Sequence, residues 1–230
     1  MKTTNSSTPR YGFARRFVNF VAVLAVFLPA IPAVAEGQAP IVAQIVVLGD
    51  SLTAGYGLNR ADSFPVRLQT ALAEDGIEAK VINAGVSGDT TAGGLARLDW
   101  ALADSEAGSG IDLVIVELGA NDGLRGLDPG LTAANLDKII AGIKKSGARV
   151  LLTGMKAPPN LGARYGEDFD AIFPRLAAKH DVALYPFFLE GVAAIPTLNQ
   201  KDGIHPNREG VDIIVRGLLP LVKALLPARG

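Results

Sequence analysis

Between residues 44 and 226, short runs of consecutive apolar residues alternate with longer segments in which apolar residues recur every three or four positions. The short runs are rich in β-branched side chains, as strands buried on both faces of a sheet are. The longer segments have the amphipathic period of helices. This pattern predicts strands over 44–48, 79–83, 113–117, 149–153 and 182–185, and helices over 64–74, 91–103, 132–145, 167–179 and 208–226.

The regular alternation of strands and helices predicts an α/β fold, in which a five-stranded parallel sheet lies between two layers of helices. The helical crossovers should be right-handed. Pro174 lies within the fourth predicted helix, so that helix should kink or begin there. Since no repeat or Pro/Gly-rich linker interrupts the pattern, we predict a single-domain three-layer sandwich.

The N-terminal region has a different composition from the rest of the chain. Arginines within the first 16 residues precede an apolar run of about 15 residues, and Ala-Val-Ala follows at 33–35. This order predicts a cleaved signal peptide over 1–35 and a domain over 36–230. The apolar run contains two prolines and is shorter than the roughly 20 residues of a membrane-spanning helix. We therefore expect an exported protein, periplasmic or secreted, without a stable membrane anchor.

The composition excludes several kinds of chemistry. Apolar residues make up 49% of the chain and the net charge is -1, which argues against disorder and against a nucleic-acid partner. The chain has no cysteine, so disulfides, thiolate metal ligands and a cysteine nucleophile are excluded. Its two histidines are His180 and His205, and no HExxH-type pair occurs. We therefore expect no metal and no other cofactor.

Four polar, glycine-rich segments mark the positions where side-chain chemistry should concentrate. Three of them, GDSLT (49–53), NAGVSGD (83–89) and GANDG (119–123), directly follow predicted strands. The fourth, DGIHP (202–206), precedes the last predicted helix. In open parallel sheets the ligand site lies beyond the carboxyl ends of the strands, which is where these segments should meet.

Ser51 and His205 are the candidate nucleophile and base of a serine hydrolase. Such an enzyme needs a hydroxyl, a base within hydrogen-bond reach, a group that orients the base, and donors for an oxyanion. Ser51 follows a strand, and Gly49 relieves the backbone before it. Asp202 precedes His205 by three residues in a turn-like segment. That spacing allows the Asp202 carboxylate to bind one imidazole nitrogen while the other faces outward.

Ser87 is a rival nucleophile, because it also follows a predicted strand. The α/β-hydrolase motif GxSxG does not occur here, since Asp89 takes the last glycine position of GVSGD. We therefore expect Ser87 to shape its loop. His180, beside Asp181 near a predicted helix end, is expected to be structural or exposed. Asp50 is expected to support its turn.

The four segments resemble the four conserved blocks of the SGNH (GDSL) hydrolases, in the same order and at suitable spacing. GDSLTAGYG and DGIHPN in combination carry the resemblance, which spans about residues 45–206. GANDGLRG and LYPFFLEGVA look closest to the bacterial periplasmic thioesterase I/arylesterase branch. The resemblance implies a flavodoxin-like fold with a five-stranded parallel sheet flanked by helices.

The resemblance also implies a role for individual residues, position by position. Ser51 would be the nucleophile and one backbone donor to the oxyanion, and Asp202 and His205 would complete the triad. Gly85 would supply a second backbone N–H, and Asn121 would supply a side-chain N–H. None of these five positions departs from the family pattern.

Two segments are candidates for substrate binding. Residues 123–126 resemble the mobile loop that contacts acyl chains in this branch. The segment 185–198 is unusually apolar, so it forms either one wall of an acyl-binding groove or a loop packed on the core. The predicted substrate contacts are Gly123, Leu124, Arg125, Pro186, Phe187 and Phe188.

The predicted activity is hydrolysis of a small-molecule carboxylic ester, acyl thioester or lysophospholipid through an acyl-enzyme. A carbohydrate O-acetyl esterase, or a catalytically inactive binding module, could use the same fold. A phosphotransfer enzyme with Asp50 as nucleophile is disfavoured. Such enzymes typically need a second acid two residues later, where this chain has Leu52.

Overall fold

The structure is a computed structural model that describes residues 42–103 and 110–227. These residues all belong to one compact unit, Ala39–Gly230. The predicted signal peptide over 1–35 and its cleavage lie outside the described residues. Within the described ranges, no helix is both long enough and apolar enough to cross a bilayer.

Five parallel strands form one sheet, namely β1 (Ala43–Gly49), β2 (Ala79–Gly85), β3 (Leu113–Glu117), β4 (Arg149–Thr153) and β5 (Ala183–Tyr185). Their order across the sheet is β2-β1-β3-β4-β5. Gly49 at the end of the central strand β1 is in register with Gly85 of β2 and with Glu117 of β3. The predicted α/β class and all five predicted strands are confirmed, with differences of one or two residues at the ends.

Helices flank the sheet. Phe64–Glu74 agrees with the predicted helix at both ends, and the helix predicted over 132–145 begins one turn earlier. The α-helices of the described residues are α1 (Ser51–Ala54), α2 (Phe64–Glu74), α3 (Thr91–Ala96), α4 (Leu98–Ala103), α5 (Ala120–Leu124), α6 (Pro129–Lys145), α7 (Ala163–Asp170), α8 (Ile172–His180) and α9 (Arg208–Leu225).

Two of the predicted helices are each divided in two. The segment 91–103 forms α3 and α4, which are separated at Arg97. The segment 167–179 is interrupted at Ala171, between α7 and α8. Pro174 therefore lies in the first turn of α8, where a missing backbone N–H removes no intrahelical hydrogen bond.

The core lies on both faces of the central strands. All seven residues of β1 and all five of β3 are buried. Because successive side chains of a strand point to opposite faces, this burial means that both faces of the sheet are covered. The polar segments of the chain are consequently collected at the carboxyl ends of β1, β2 and β3.

Candidate active site

Ser51 lies in the tight turn between β1 and α1. β1 ends at Gly49, Asp50 is the N-cap of α1, and Ser51 is the first helical residue. The Asp50 carboxylate accepts a hydrogen bond from the Leu52 N–H at 3.0 Å, as an N-cap aspartate commonly does. A Cβ atom at Gly49 would lie 2.0 Å from Thr53 Oγ1, so this turn requires glycine before the N-cap.

His205 reaches Ser51 from a loop 154 residues further along the chain. Its Nε2 lies 2.9 Å from Ser51 Oγ, and its Nδ1 lies 2.7 Å from Asp202 Oδ2. The structure thus brings together the serine, imidazole and carboxylate that the sequence predicted. When Nδ1 carries the proton shared with Asp202, Nε2 is the nitrogen that can accept the serine proton.

The Asp202 carboxylate is held by backbone groups of its own loop. Its Oδ1 accepts hydrogen bonds from the N–H groups of His205 at 3.0 Å and Ile204 at 2.9 Å. These two backbone bonds, followed by the bond with the His205 side chain, lower the pKa of Asp202 to about 2. Asp202 is therefore a carboxylate at neutral pH, which suits a group that orients an imidazole and stabilises its charged form.

Tyr56 and Gln200 support the His205 loop, and sequence reasoning missed both. The Tyr56 ring packs against the imidazole, with centroids 4.7 Å apart. Gln200 Nε2 donates to the carbonyl oxygens of Tyr56 at 2.7 Å and Pro206 at 3.0 Å, and the Gln200 N–H donates to the His205 carbonyl at 2.7 Å. Gln200 thus joins the segment after Ser51 to the segment that carries the base. No local pattern signals it, because its side-chain acceptors are backbone carbonyls.

Gly85 does not have the surroundings predicted for an oxyanion donor. Its N–H already donates to Asn83 Oδ1 at 3.0 Å. Among the described residues, Gly85 is not one of those that line the cleft beside Ser51. A Cβ atom at Gly85 would lie 2.4 Å from the Ala54 nitrogen, so glycine is needed here for the close approach of α1 to the end of β2. The oxyanion assignment of Gly85 is therefore corrected.

Gly88, three residues after Gly85, lies at the cleft, where a backbone donor to the oxyanion is needed. It lines the cleft together with Ser51, Ser87 and Asn121. Its φ of +84° lies in the left-handed region that favours glycine. The signal available in the sequence was the glycine directly after Ser87, but residue spacing alone did not distinguish the two glycines.

Asn121 contacts the turn that carries the nucleophile. Its Nδ2 donates to Asp50 Oδ2 at 3.0 Å, and Asn121 lines the cleft next to Ser51. Since a side-chain amide has two N–H donors, one remains for a ligand in the cleft. The next residue, Asp122, is buried and accepts hydrogen bonds from the N–H and hydroxyl of Thr91 at 2.8 and 2.6 Å. These bonds fix α5 against α3.

Two carboxyl groups are buried next to each other behind the nucleophile turn. Glu117 Oε2 accepts hydrogen bonds from Thr53 Oγ1 at 2.7 Å and from the Asp50 N–H at 3.3 Å. Burial, and then the neighbouring Asp50 carboxylate, raise the pKa of Glu117 well above its usual value. Burial also raises the pKa of Asp50 to about 6, although hydrogen bonds to its oxygens oppose the shift. Both Asp50 oxygens are occupied and buried, which argues against Asp50 as a nucleophile.

A mainly apolar cleft of about 700 Å³ opens beside Ser51 and His205. An apolar cleft with a few fixed polar groups at one end is typical of ligand sites. The polar groups here include the hydroxyls of Ser51 and Ser87, the His205 imidazole, the Asn121 amide and the Lys156 ammonium. The remaining walls include Leu52, Tyr56, Leu124, Met155, Ala157, Pro158, Pro159, Phe187, Leu189, Ala193, Ala194 and Ile204.

The predicted substrate contacts in the apolar segment 185–198 divide between the cleft and the core. Phe187 lines the cleft, as does Leu124 of the predicted acyl loop. Phe188 is only 1% exposed and packs edge-on against Phe64, with centroids 5.1 Å apart. Phe188 is therefore a core residue and not a substrate contact. The segment 185–198 therefore forms part of the cleft wall at Phe187 and part of the core at Phe188.

The other predicted substrate contacts support the loops around the cleft. Among the described residues, Gly123, Arg125 and Pro186 are not part of the cleft wall. Gly123 is buried, and Arg125 Nη2 donates to the Gly88 carbonyl at 2.8 Å. The Pro186 carbonyl would lie 2.1 Å from a Cβ atom at Gly154, so the two backbones are closely packed. The structure therefore gives these three residues packing contacts around the cleft, and their contact with substrate stays a prediction.

The rival serine and the second histidine have separate environments. Ser87 lines the same cleft, but the His205 imidazole is directed at Ser51. His180 ends α8 and places Nε2 2.6 Å from Asp137 Oδ1. The structural interpretation of His180 agrees with this ion-pair geometry.

The chain is similar to known proteins in both sequence and fold. Residues 47–213 match the model of the GDSL-like Lipase/Acylhydrolase family. The arylesterase of Vibrio mimicus is 48% identical over 166 residues, which cover 72% of this chain and 81% of that protein. The thioesterase 1/protease 1/lysophospholipase L1 of Escherichia coli is 43% identical over 184 residues, covering 77% and 84%. The crystal structure of TesA matches with a TM-score of 0.74 at 42% identity, covering 80% of this chain and 99% of that one.

Proposed function

This chain belongs to the GDSL-like Lipase/Acylhydrolase family, and from that premise we propose that it hydrolyses carboxylic esters through nucleophilic attack by Ser51. It is an ester hydrolase, as the relatives named arylesterase and thioesterase/lysophospholipase are. The observation that carries the proposal is the 2.9 Å distance between His205 Nε2 and Ser51 Oγ, with Asp202 on the opposite imidazole nitrogen.

The first half of the proposed reaction forms an acyl-enzyme. Neutral His205 takes the Ser51 proton through Nε2 while Oγ attacks the ester carbonyl carbon. The Asp202 carboxylate stabilises the imidazolium, which then gives its proton to the leaving alcohol or thiol. In the second half, His205 removes a proton from water, and the water attacks the acyl group. The bond between the acyl carbon and Ser51 Oγ then breaks, His205 returns its proton to Oγ, and release of the acid restores Ser51.

Three N–H groups are proposed to bind the oxyanion, namely the backbone groups of Ser51 and Gly88 and the side chain of Asn121. Ser51 begins α1, where first-turn N–H groups have no acceptor within the helix. Asn121 keeps one donor after it binds Asp50. Donors that are already oriented before the reaction stabilise developing charge without reorganisation.

The cleft favours substrates with an apolar acyl chain. Its walls are mainly apolar, whereas an acetylated sugar would need several polar partners along the cleft. Acyl thioesters and lysophospholipids share the acyl portion with simple esters, and the name of the Escherichia coli relative includes both activities. We include these three classes in the proposed substrate range.

Export to the periplasm, with cleavage near residue 35, is a further part of the proposal. It is supported by the order of basic, apolar and small residues at the N-terminus. The intact mass of the protein recovered from a periplasmic extract tests it. We expect the mass of residues 36–230, and the mass of the full chain would contradict cleavage.

Hydrolysis of p-nitrophenyl butyrate by the purified protein tests the activity itself. Ser51→Ala should lower kcat by at least about 10³-fold, because the acyl-enzyme no longer forms. Ser87→Ala is the matched control, since that hydroxyl lies in the same cleft. An active Ser51→Ala together with an inactive Ser87→Ala would reassign the nucleophile.

A further inference from the structure

Arg97 makes three short hydrogen bonds at the carboxyl edge of the sheet. Its Nη2 donates to the Gly49 carbonyl at 2.8 Å, and its Nη1 donates to the Ala84 carbonyl at 2.7 Å. Its Nε donates to Asp89 Oδ2 at 2.6 Å. One guanidinium therefore connects the end of β1, the end of β2 and the loop that follows β2.

The acceptors of Arg97 flank the two proposed backbone donors to the oxyanion. Gly49 precedes Ser51 by two residues, and Asp89 directly follows Gly88. Arg97 itself touches neither the serine nor the cleft among the described residues. Its contacts instead restrain the chain two residues before Ser51 and one residue after Gly88.

The neighbouring residues accommodate the ion pair between Arg97 and Asp89. The Arg97 and Asp89 side chains are only 17% and 18% exposed, so solvent screens their ion pair weakly. A Cβ atom at Gly93 would lie 2.5 Å from Asp89 Oδ1, so the glycine in α3 makes room for this carboxylate. The helix predicted over 91–103 is interrupted at Arg97, the residue that turns back toward the strand ends.

We infer that Arg97 is a positioning residue that holds the Ser51 and Gly88 N–H groups in register for the oxyanion, an inference that rests on the proposed function. Oxyanion donors must stay within about 0.5 Å of their working positions to be effective. The planar guanidinium of arginine donates to three acceptors at fixed angles, whereas lysine has a single ammonium group on a flexible side chain. Charge alone therefore does not replace Arg97.

Arg97→Lys tests the inference, with Arg67→Lys as the matched control. Arg67 Nε binds Asp212 Oδ1 at 2.7 Å, with the side chains 28% and 25% exposed, between α2 and α9. We expect kcat on p-nitrophenyl butyrate to fall at least about tenfold in Arg97→Lys, while KM stays within about twofold. Arg67→Lys should leave both constants unchanged. A wild-type kcat in Arg97→Lys would overturn the inference.

A second readout separates positioning from loss of folded protein. An alkylboronic acid binds Ser51 Oγ at boron, the serine proton passes to His205, and the tetrahedral, negatively charged boronate places one of its hydroxyl oxygens at the oxyanion donors. The affinity for the boronic acid should fall by the same factor as kcat, whereas the affinity for an uncharged alkan-1-ol of the same chain length should not change. If both affinities fall together, the effect is general and the inference is wrong.

Asp89→Asn keeps the inference testable if Arg97→Lys folds poorly. This variant retains Arg97 and its two carbonyl contacts but weakens the bond that reaches the Gly88 segment. We expect a severalfold decrease in kcat per titrated active site, and an unchanged value would overturn the inference. If the wild-type protein fails to hydrolyse the ester, or Ser51→Ala hydrolyses it at the wild-type rate, the proposed function fails independently of Arg97.

Discussion

The Asn121 amide donates to the buried Asp50 carboxylate across 3.0 Å, so the proposed side-chain oxyanion donor is tied to the N-cap of the nucleophile helix. Asn121→Ala removes both this hydrogen bond and the second amide N–H, which is the proposed oxyanion donor. We expect kcat to fall about 10²- to 10³-fold, the usual effect of losing one oxyanion donor. Steady-state kinetics on p-nitrophenyl butyrate measure this, with thermal unfolding to verify the fold. A change below about threefold would remove Asn121 from that role.

The Asp202 side chain should act as a fixed carboxylate throughout the working pH range. Its pKa is lowered to about 2, so it contributes to stability above about pH 4, and that contribution is lost as the pH falls toward 2. Because Asp202 stays ionised from pH 8 down to pH 4, a decrease in kcat/KM over that range should come from the protonation of groups other than Asp202. Profiles of kcat/KM from pH 4 to 8 measure it, and an activity that does not fall at acid pH would contradict a histidine base.

Asp202→Asn should disturb the imidazole without removing it. An amide can donate to Nδ1 and favour the tautomer in which Nε2 carries a proton and cannot act as a base. We expect kcat to fall by up to about 10⁴-fold, as in other serine triads with this change. Single-turnover kinetics should place the loss in acylation. Wild-type acylation in Asp202→Asn would contradict the proposed role of the carboxylate.

Glu117→Gln should make the stability of the protein less dependent on pH. An unfolded glutamate ionises near 4.5, whereas burial keeps folded Glu117 protonated to a higher pH. In that interval the unfolded state binds fewer protons, so wild-type stability decreases as the pH rises. The stability of Glu117→Gln relative to wild type should therefore be greater at pH 8 than at pH 5.

Urea unfolding at both pH values measures this difference. The control is Glu167→Gln, which changes an exposed glutamate on α7. Equal relative stability of Glu117→Gln at the two pH values would mean that folded Glu117 ionises as an ordinary glutamate does.

Phe187 should contribute to the recognition of longer acyl chains. It lines the apolar cleft, so Phe187→Ala removes contact area that a long chain uses and an acetyl group does not reach. We expect kcat/KM for p-nitrophenyl octanoate to fall about tenfold or more, while that for the acetate changes little. Leu131→Ala is the control, because Leu131 is 65% exposed. Equal effects on both esters would contradict an acyl-binding role.

The fold could be predicted where the signals are local. The strand Leu113–Glu117 begins with four consecutive apolar residues, three of them β-branched, and the helix Phe64–Glu74 is bounded by Ser63 and Gly76. The break at Arg97 could not be predicted, because it accompanies contacts with strand ends that are distant in sequence. Hydrogen-bond acceptors that are distant along the chain produce no periodic pattern in the sequence.

The site could be predicted where the residue type is itself diagnostic. His205 was a candidate because the chain has only two histidines, and Ser51 and Asp202 were candidates because they stand in the GDSLT and DGIHP segments. The choice between Gly85 and Gly88 depends on how each amide is used, which spacing does not reveal. Similarly, Phe187 and Phe188 are adjacent and chemically identical, and only packing distinguishes the cleft residue from the core residue.

The central claim, that the His205 imidazole activates the Ser51 hydroxyl, is tested most directly by labelling with a fluorophosphonate. Attack by Ser51 Oγ on phosphorus forms a P–O bond and expels fluoride, and mass spectrometry of peptides locates the adduct. We expect one adduct per molecule on Ser51, formed at the wild-type rate in His180→Ala and at least about 10³-fold more slowly in His205→Ala. An adduct on Ser87, or an undiminished labelling rate in His205→Ala, would contradict the account.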